Sequence, residues 1–249
     1  MKRRPLLAAA AAALTAAPSF GQPACRAESG RRVPLVVELF TSEGCSSCPP
    51  ADRWLSALRG RDDVIALGFH VTYWDRLGWP DRFASREFTA RQHEHAERLG
   101  RDHVYTPQVL VDGRDWRGWH GGAGGADLPA APPPASAPRL TLARDGDAVL
   151  ATVDAWTGAA AQGDRLAGYW AVTEDRHESR VRAGENAGET LRHDHVVRLI
   201  RPLADWRASA GLTSRLEVSR GVAEHPRRVV FVVTDVATRR TLQALALAC

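Results

Sequence analysis

The segment FTSEGCSSCPPAD (residues 40–52) contains the residues of this chain that are best suited to chemistry. Its cysteines, Cys45 and Cys48, are separated by two serines and followed by two prolines. Two thiols at this spacing can form a redox-active disulfide, supply half of a metal site, or form a disulfide whose role is only structural and local. The elements on either side of the pair help to decide among these uses.

A strand is predicted before the cysteine pair and a helix after it. The apolar run LVVELF (residues 35–40) indicates a buried strand, and ADRWLSALRG (residues 51–60) places its apolar residues on one helical face. Prolines are tolerated only in the first turn of a helix, so Pro49 and Pro50 place the helix start near Ser47 or Cys48. The pair is therefore predicted to lie at the positive end of a helix dipole, which stabilises a thiolate.

The two thiols are expected to have different roles. Cys45 lies at or before the predicted helix start, where the free N–H groups point, whereas Cys48 lies further into the helix. We expect an exposed Cys45 to attack a partner and a less exposed Cys48 to resolve the mixed disulfide.

Two carboxyl groups flank the pair as possible auxiliary residues. Asp52 follows Cys48 by four residues and shares its helical face, so it could accept a proton from that thiol. The alternative is an acid that only complements the helix dipole. Glu43 precedes Cys45 by two residues.

Three other positions could contribute to the site. His70 ends the second predicted strand and could add a third ligand for a soft metal such as Cu(I), although a hydrogen-bonded histidine at a strand end is the simpler interpretation. Trp74, in the segment TYWDRLGWPDRF, could form an apolar lip beside Cys45 or belong to a small satellite core. His193 and His195 share a face of a predicted strand, without an acid in register.

The segment YTPQVLV places Thr106 and Pro107 directly before another predicted strand. A proline at such a position, often in the cis form, can expose the preceding backbone groups for pairing with an extended peptide. After a CxxC pair and before a predicted hairpin, this dipeptide predicts a substrate-docking edge.

The first residues of the chain predict export. Lys2, Arg3 and Arg4 precede an apolar run and a small-residue cleavage site, which together indicate a signal peptide over residues 1–22. No later run is long and apolar enough to predict a membrane span after cleavage. We therefore expect a periplasmic or secreted protein.

Charge disfavours nucleic acid as a partner. Removing the three cations of the leader from the 33 basic side chains leaves 30, which nearly balance the 29 acidic ones, whereas nucleic-acid binders need a basic excess. An oxidising compartment lets disulfides persist. Of the three pairings that four cysteines allow, we predict Cys45 with Cys48 and Cys25 with Cys249, the second bridge being structural.

A segment rich in Gly, Pro and Ala (residues 121–139) divides the chain and predicts a linker. Residues 26–120 alternate buried strands with helices, which favours a largely parallel sheet covered on both faces. Residues 140–249 contain short strands separated by turn signals, which favours an antiparallel, sandwich-like β-domain.

The order strand, CxxC, helix, strand, helix, Thr-Pro and hairpin resembles the core of the thioredoxin fold. Four motifs, ELFTSEGCSSCPPAD, FHVTYWDRLGWPDRFAS, YTPQVLVDG and GENAGETLRHDHVVR, resemble the secreted bacterial family known as domain of unknown function 1223. The resemblance implies an α/β thioredoxin-like N-terminal domain with an appended antiparallel β-domain, and no established activity.

The sequence therefore predicts an exported thiol–disulfide oxidoreductase whose partners are protein or small-molecule thiols and disulfides, with no cofactor and no bound metal. The alternative is a periplasmic copper or zinc carrier, or a non-catalytic interaction module.

Overall fold

The computed structural model describes residues 25–121, 128–129, 136–158 and 163–249. The predicted signal peptide (residues 1–22) lies outside the described residues, as does most of the predicted linker. The proposed domain boundaries around that linker stay predictions.

Strands dominate the described residues. They are β1 (Arg26–Glu28), β2 (Leu35–Thr41), β3 (Val64–His70), β4 (Gln108–Val111), β5 (Arg114–Asp115), β6 (Leu140–Asp145), β7 (Ala148–Val153), β8 (Arg165–Glu174), β9 (His177–Arg180), β10 (Thr190–His193), β11 (Val196–Pro202), β12 (Trp206–Arg207), β13 (Leu212–Glu217), β14 (Arg227–Asp235) and β15 (Thr241–Leu247). The helices are α1 (Pro49–Ala57) and α2 (Arg86–Arg98), with short 3-10 helices at Thr72–Leu77, Gly118–Gly121 and Ala208–Ala210.

One large sheet runs through both halves of the chain. Its strand order is β15-β14-β8-β11-β3-β2-β4-β5, and β12 pairs with β8. The pairs β2–β3 and β3–β11 are parallel, whereas the other pairs of this sheet are antiparallel. The backbone N–H of Gly68 on β3 donates to the carbonyl of His195, at 2.8 Å, where the two halves join.

The expected fold class, an α/β thioredoxin-like domain followed by a separate antiparallel β-domain, is wrong. The described chain is mostly β, and the strands of the first half have no sheet of their own. The physical reason is the outer edge of β3, whose unpaired backbone groups need a partner. Strand β11, from the second half, pairs with this edge at one position, where Val196 lies opposite Gly68.

A second sheet packs against the first. It has the order β1-β6-β7-β13 and is antiparallel throughout. Alternate side chains of its strands, including Leu142 and Leu216, meet Trp170 and Phe231 of the large sheet in one buried core. The predicted Cys25–Cys249 disulfide is present and ties the residue before β1 to the segment after β15.

Strands β9 and β10 form a separate two-stranded ribbon. The loop between them (residues 181–189) contains two glycines with positive φ, Gly184 and Gly188, a conformation that side-chain-bearing residues rarely adopt. The ribbon carries this 181–189 loop from the second half of the chain to the loop that contains Cys45.

Candidate redox site

The Cys45–Cys48 disulfide lies between the end of β2 and the start of α1. Cys48 is the N-cap of the helix, and Pro49 and Pro50 occupy its first turn. The carbonyl of Cys48 accepts hydrogen bonds from the N–H groups of Ala51 and Asp52, at 2.9 and 3.1 Å. The disulfide is therefore placed at the positive end of α1, where a thiolate would be stabilised after reduction.

Both cysteines are fully buried, each with 0% relative exposure. The expectation that Cys45 is solvent-exposed is therefore wrong for this disulfide state. The cause lies in segments distant in sequence, because the 3-10 segment around Trp74 and the 181–189 loop pack on the residues around Cys45. A Cβ added to Gly44 would lie 3.1 Å from the Cβ of Trp74, so the backbone is closely covered on that side.

Thr106 and Pro107 adjoin the disulfide, and the peptide bond between them is cis. The Thr106 hydroxyl donates to the Sγ of Cys45 at 3.3 Å and accepts from the indole Nε1 of Trp74 at 2.8 Å. Trp74 thus orients the hydroxyl that contacts the sulfur. A cavity of about 300 Å³ opens beside these residues and is lined in part by Ser47 and Trp119.

Glu43 is buried beside the disulfide loop. Its Oε2 accepts from the indole Nε1 of Trp79 at 2.7 Å, and its Oε1 lies 3.3 Å from the Nε2 of His193. Burial alone would raise the pKa of Glu43, but the neighbouring His193, Ser179 and Trp79 groups outweigh burial and lower that pKa. Glu43 is therefore held as a carboxylate.

His70 is paired with a carboxylate that sequence reasoning missed. Its Nδ1 lies 2.6 Å from the Oδ2 of Asp81, and both side chains are buried. Burial opposes the charge on each, but the attraction between them dominates, so the pKa of His70 is raised and that of Asp81 is lowered to about 2. Asp81 Oδ2 also accepts from the backbone N–H of Glu43 at 2.9 Å, which connects the pair to the disulfide loop.

Asp52 is buried on α1 and accepts a hydrogen bond from the Thr41 hydroxyl at 3.1 Å. Burial raises the pKa of Asp52, and the nearby His193 and His70 rings only partly oppose that rise. Asp52 therefore holds a proton more readily than an exposed aspartate, one helical turn from Cys48.

Two residues of the second half contact the backbone of the disulfide loop directly. The Nδ2 of Asn186 donates to the carbonyls of Glu43 and Cys45, both at 2.9 Å. The Oε2 of Glu185 accepts from the N–H and the hydroxyl of Ser46, at 3.0 and 2.8 Å. Sequence reasoning missed both residues, because the segment GENAG (residues 184–188) has the composition of a simple turn.

The two histidines of the second half separate in the structure. The Nε2 of His193 lies 3.3 Å from Glu43, whereas His195 lies outside β10, has a positive φ, and its Nδ1 is 3.3 Å from the guanidinium of Arg228. The prediction that they share a strand face without an acid in register is wrong for His193, because its acid partner comes from a segment 150 residues away in the sequence.

Across the part of the chain that the structure describes, no group of three or more His, Cys, Asp or Glu side chains is arranged to hold a metal ion. His70, the candidate third ligand, is paired with Asp81, and both thiols are joined in the disulfide. In the same described residues, no helix is long and apolar enough to cross a membrane.

The profile of the family described as protein of unknown function (DUF1223) matches residues 36–234. The chain belongs to the DUF1223 family. The matched range includes both cysteines of the disulfide loop and both residues of the second half that contact its backbone. No curated protein is similar to the chain.

Two solved structures resemble this DUF1223 protein. The crystal structure of protein AGR_C_4864 from Agrobacterium tumefaciens is 27% identical, with a TM-score of 0.64, and the alignment covers 88% of this chain and 96% of that one. HBP35 of Porphyromonas gingivalis is 14% identical, with a TM-score of 0.49, over 86% of this chain and 74% of that one. The second similarity is too weak to carry an inference.

Proposed function

We propose that this protein is an exported thiol–disulfide oxidoreductase whose redox centre is the Cys45–Cys48 pair. The observation that carries the proposal is the contact of Thr106 with the Sγ of Cys45, made at the N-terminus of a helix. A hydroxyl donor and a helix dipole both stabilise a thiolate at Cys45 more than they stabilise a thiol.

In the oxidising direction, the thiolate of a substrate attacks the Sγ of Cys45. The Cys45–Cys48 bond breaks, its electron pair passes to the sulfur of Cys48, and Asp52 in its acid form would supply the proton. A second substrate thiol then attacks the substrate sulfur of the mixed disulfide. The substrate leaves as a disulfide, two electrons more oxidised, and Cys45 and Cys48 are left reduced.

In the reducing direction, the same steps run backwards. The Cys45 thiolate attacks a substrate disulfide, and Cys48 loses its proton to Asp52 before it displaces the substrate thiolate. The backbone groups that precede Pro107 would pair with an extended substrate peptide and align it beside Cys45.

The features that indicate export support the proposal, although export itself has no part in the reaction. The amino-terminal sequence has the features of a cleaved leader, and two disulfides are compatible with an oxidising compartment. A protein with this site would act on thiols and disulfides in the periplasm or outside the cell.

The test is exchange with a defined redox couple. The mature protein, equilibrated with mixtures of reduced and oxidised glutathione, should show a reversible change in two thiols that disappears in a Cys45→Ser/Cys48→Ser variant. A Cys48→Ser variant should trap a mixed disulfide at Cys45. Absence of exchange over hours with both glutathione and a protein disulfide, in a folded wild type, would refute the function. Stoichiometric binding of Cu(I) by that inactive protein would point to a metal carrier instead.

A further inference from the structure

The redox centre as observed is closed. Both cysteines are fully buried, so no thiol from solution reaches either sulfur in this conformation. Thiol–disulfide exchange requires the attacking thiolate to approach one sulfur along the axis of the disulfide bond. If the proposed function is correct, some part of the surrounding structure has to move before each reaction.

The 181–189 loop is the segment best placed to move. It touches the disulfide loop through four side-chain hydrogen bonds, two from Asn186 and two to Glu185, at distances between 2.8 and 3.0 Å. A Cβ added to Gly184 would lie 3.8 Å from the Cα of Gly44, so the two backbones are also in close contact.

No strand pairing joins the stem of this loop to the large sheet. The stem is a ribbon of two short strands, β9 and β10, which pair with each other and with no other strand of the described chain, and one face of this ribbon (Ser179, Leu191 and His193) is buried. By contrast, β2 and α1, which carry the cysteines, belong to the large sheet and its packed face. Within the loop itself only Val181 and Asn186 are buried, so the loop can separate from the cysteines at a smaller cost than the cysteines can leave the sheet.

We propose that Glu185 and Asn186 are positioning residues that latch the 181–189 loop onto the Cys45–Cys48 loop, and that their release admits the substrate thiol. This inference rests on the proposed function. Asn186 is 6% exposed and donates both amide hydrogens to carbonyls of the disulfide loop. The Glu185 carboxylate accepts a hydrogen bond from the backbone N–H of Ser46, one residue after Cys45.

The two side chains differ in a way that can be tested. Asn186→Asp keeps the shape of the side chain but replaces its two donors with a carboxylate oxygen that faces two carbonyl oxygens. Glu185→Gln keeps an oxygen acceptor for Ser46, whereas Glu185→Ala removes it. A latch held by hydrogen bonds predicts that Asn186→Asp and Glu185→Ala open the site and that Glu185→Gln does so much less.

The measurement is the rate at which dithiothreitol reduces the Cys45–Cys48 disulfide of the folded protein, followed by alkylation and mass spectrometry. Dithiothreitol leaves as its cyclic disulfide while the protein gains two thiols. We expect Asn186→Asp and Glu185→Ala to be reduced on the order of tenfold faster than the wild type, with Glu185→Gln within about threefold.

A general loss of stability would also accelerate reduction, so a matched control is needed. Ser214→Ala removes one side-chain hydrogen bond, from the Trp170 indole at 3.0 Å, in the core between the two sheets and away from the cysteines. Its reduction rate should equal that of the wild type, even if its melting temperature falls as far as those of the latch variants.

The outcomes separate the two proposals. If Asn186→Asp and Glu185→Ala are reduced no faster than the wild type, the latch is wrong, whatever the protein does with thiols. If they are reduced faster but neither they nor the wild type exchange disulfides with glutathione or with a protein disulfide, the latch stands and the proposed function fails.

Discussion

The hydroxyl of Thr106 donates a hydrogen bond to the Sγ of Cys45 across 3.3 Å, although the two residues are 61 positions apart in the sequence. The indole Nε1 of Trp74 donates to this hydroxyl at 2.8 Å and holds it in place. The contact joins the predicted docking edge to the predicted nucleophile. The reactivity of Cys45 should therefore depend on a residue outside the CxxC segment.

Thr106→Val tests this dependence. The variant keeps the shape of the side chain but removes the donor that would stabilise a Cys45 thiolate, so the pKa of Cys45 in the reduced protein should rise by about one unit. The pKa can be measured from thiolate absorbance during a pH titration. Thr238→Val, at the turn between β14 and β15, is the control and should leave the titration unchanged. An unaltered pKa in Thr106→Val would mean that the hydroxyl has no part in activation.

Asp52→Asn tests the proton-transfer role. It removes the only carboxyl group that α1 buries near Cys48 among its described residues, so exchange through Cys48 should slow by at least about tenfold at neutral pH. The measurement is the rate of disulfide exchange as a function of pH. A rate profile identical to that of the wild type would exclude Asp52 from the reaction.

The same substitution should stabilise the fold at neutral pH. The pKa of Asp52 is raised in the folded protein, so folding favours its protonated form. The resulting contribution to stability is fully present below the ordinary aspartate pKa near 3.8 and is lost as the pH rises through the pKa of the folded state. The amide of the variant carries no charge at any pH, so the variant does not lose stability as the pH rises. We expect Asp52→Asn to have a higher melting temperature than the wild type at about pH 7 and no advantage at about pH 3, measured by thermal unfolding.

The buried His70–Asp81 pair predicts a stability window with two limits. The pKa of Asp81 is lowered to about 2, so its contribution is present above pH 3.8 and lost as the pH falls towards 2. The pKa of His70 is raised, so its contribution is full below pH 6.5 and lost as the pH rises through the folded value. Asp81→Asn should therefore cost about 3 kcal/mol of unfolding free energy near pH 5, because it leaves a buried histidine without its carboxylate.

Denaturant unfolding at several pH values measures this cost. The difference between wild type and Asp81→Asn should shrink below pH 3.8, where the wild-type carboxylate begins to take up a proton. A difference that stays constant from about pH 2 to about pH 7 would show that Asp81 acts by packing alone.

The Cys25–Cys249 bridge should affect stability and leave exchange intact. It closes a loop with a sequence separation of 224, for which the chain-entropy treatment gives an upper value of about 5 kcal/mol. Cys25→Ser/Cys249→Ser should lower the free energy of unfolding by up to that amount, while glutathione exchange at Cys45 proceeds at the wild-type rate. Loss of exchange in a folded variant would place the bridge in the redox mechanism.

Local features of the site could be predicted from the sequence, because their causes are local. The apolar run from Leu35 forms β2, and two prolines fix the start of α1 at Cys48. Thr106 and Pro107 precede a strand and a turn at Asp112, as the hairpin signal indicates.

Features that depend on distant contacts could not be predicted in the same way. Nothing in the composition of β3 shows that β11 will pair with it, so the halves were expected to form separate domains. Asn186 lies 141 residues from Cys45, in a segment whose glycines indicate only a turn. The exposure expected for Cys45 was wrong for this reason, since the residues that bury it come from elsewhere in the chain.

The parallel pairing of β3 with β11 makes the two halves of the polypeptide interdependent. A fragment that ended before β11 would expose the edge of β3. A fragment that ended at the Gly/Pro/Ala-rich segment would also lack Asn186 and His193. The fragment that began after that segment would contain these two residues but not Cys45 and Cys48. Protein engineers who wish to transplant this proposed redox centre, or to express it as a minimal module, would therefore have to carry over sequence from both sides of that segment.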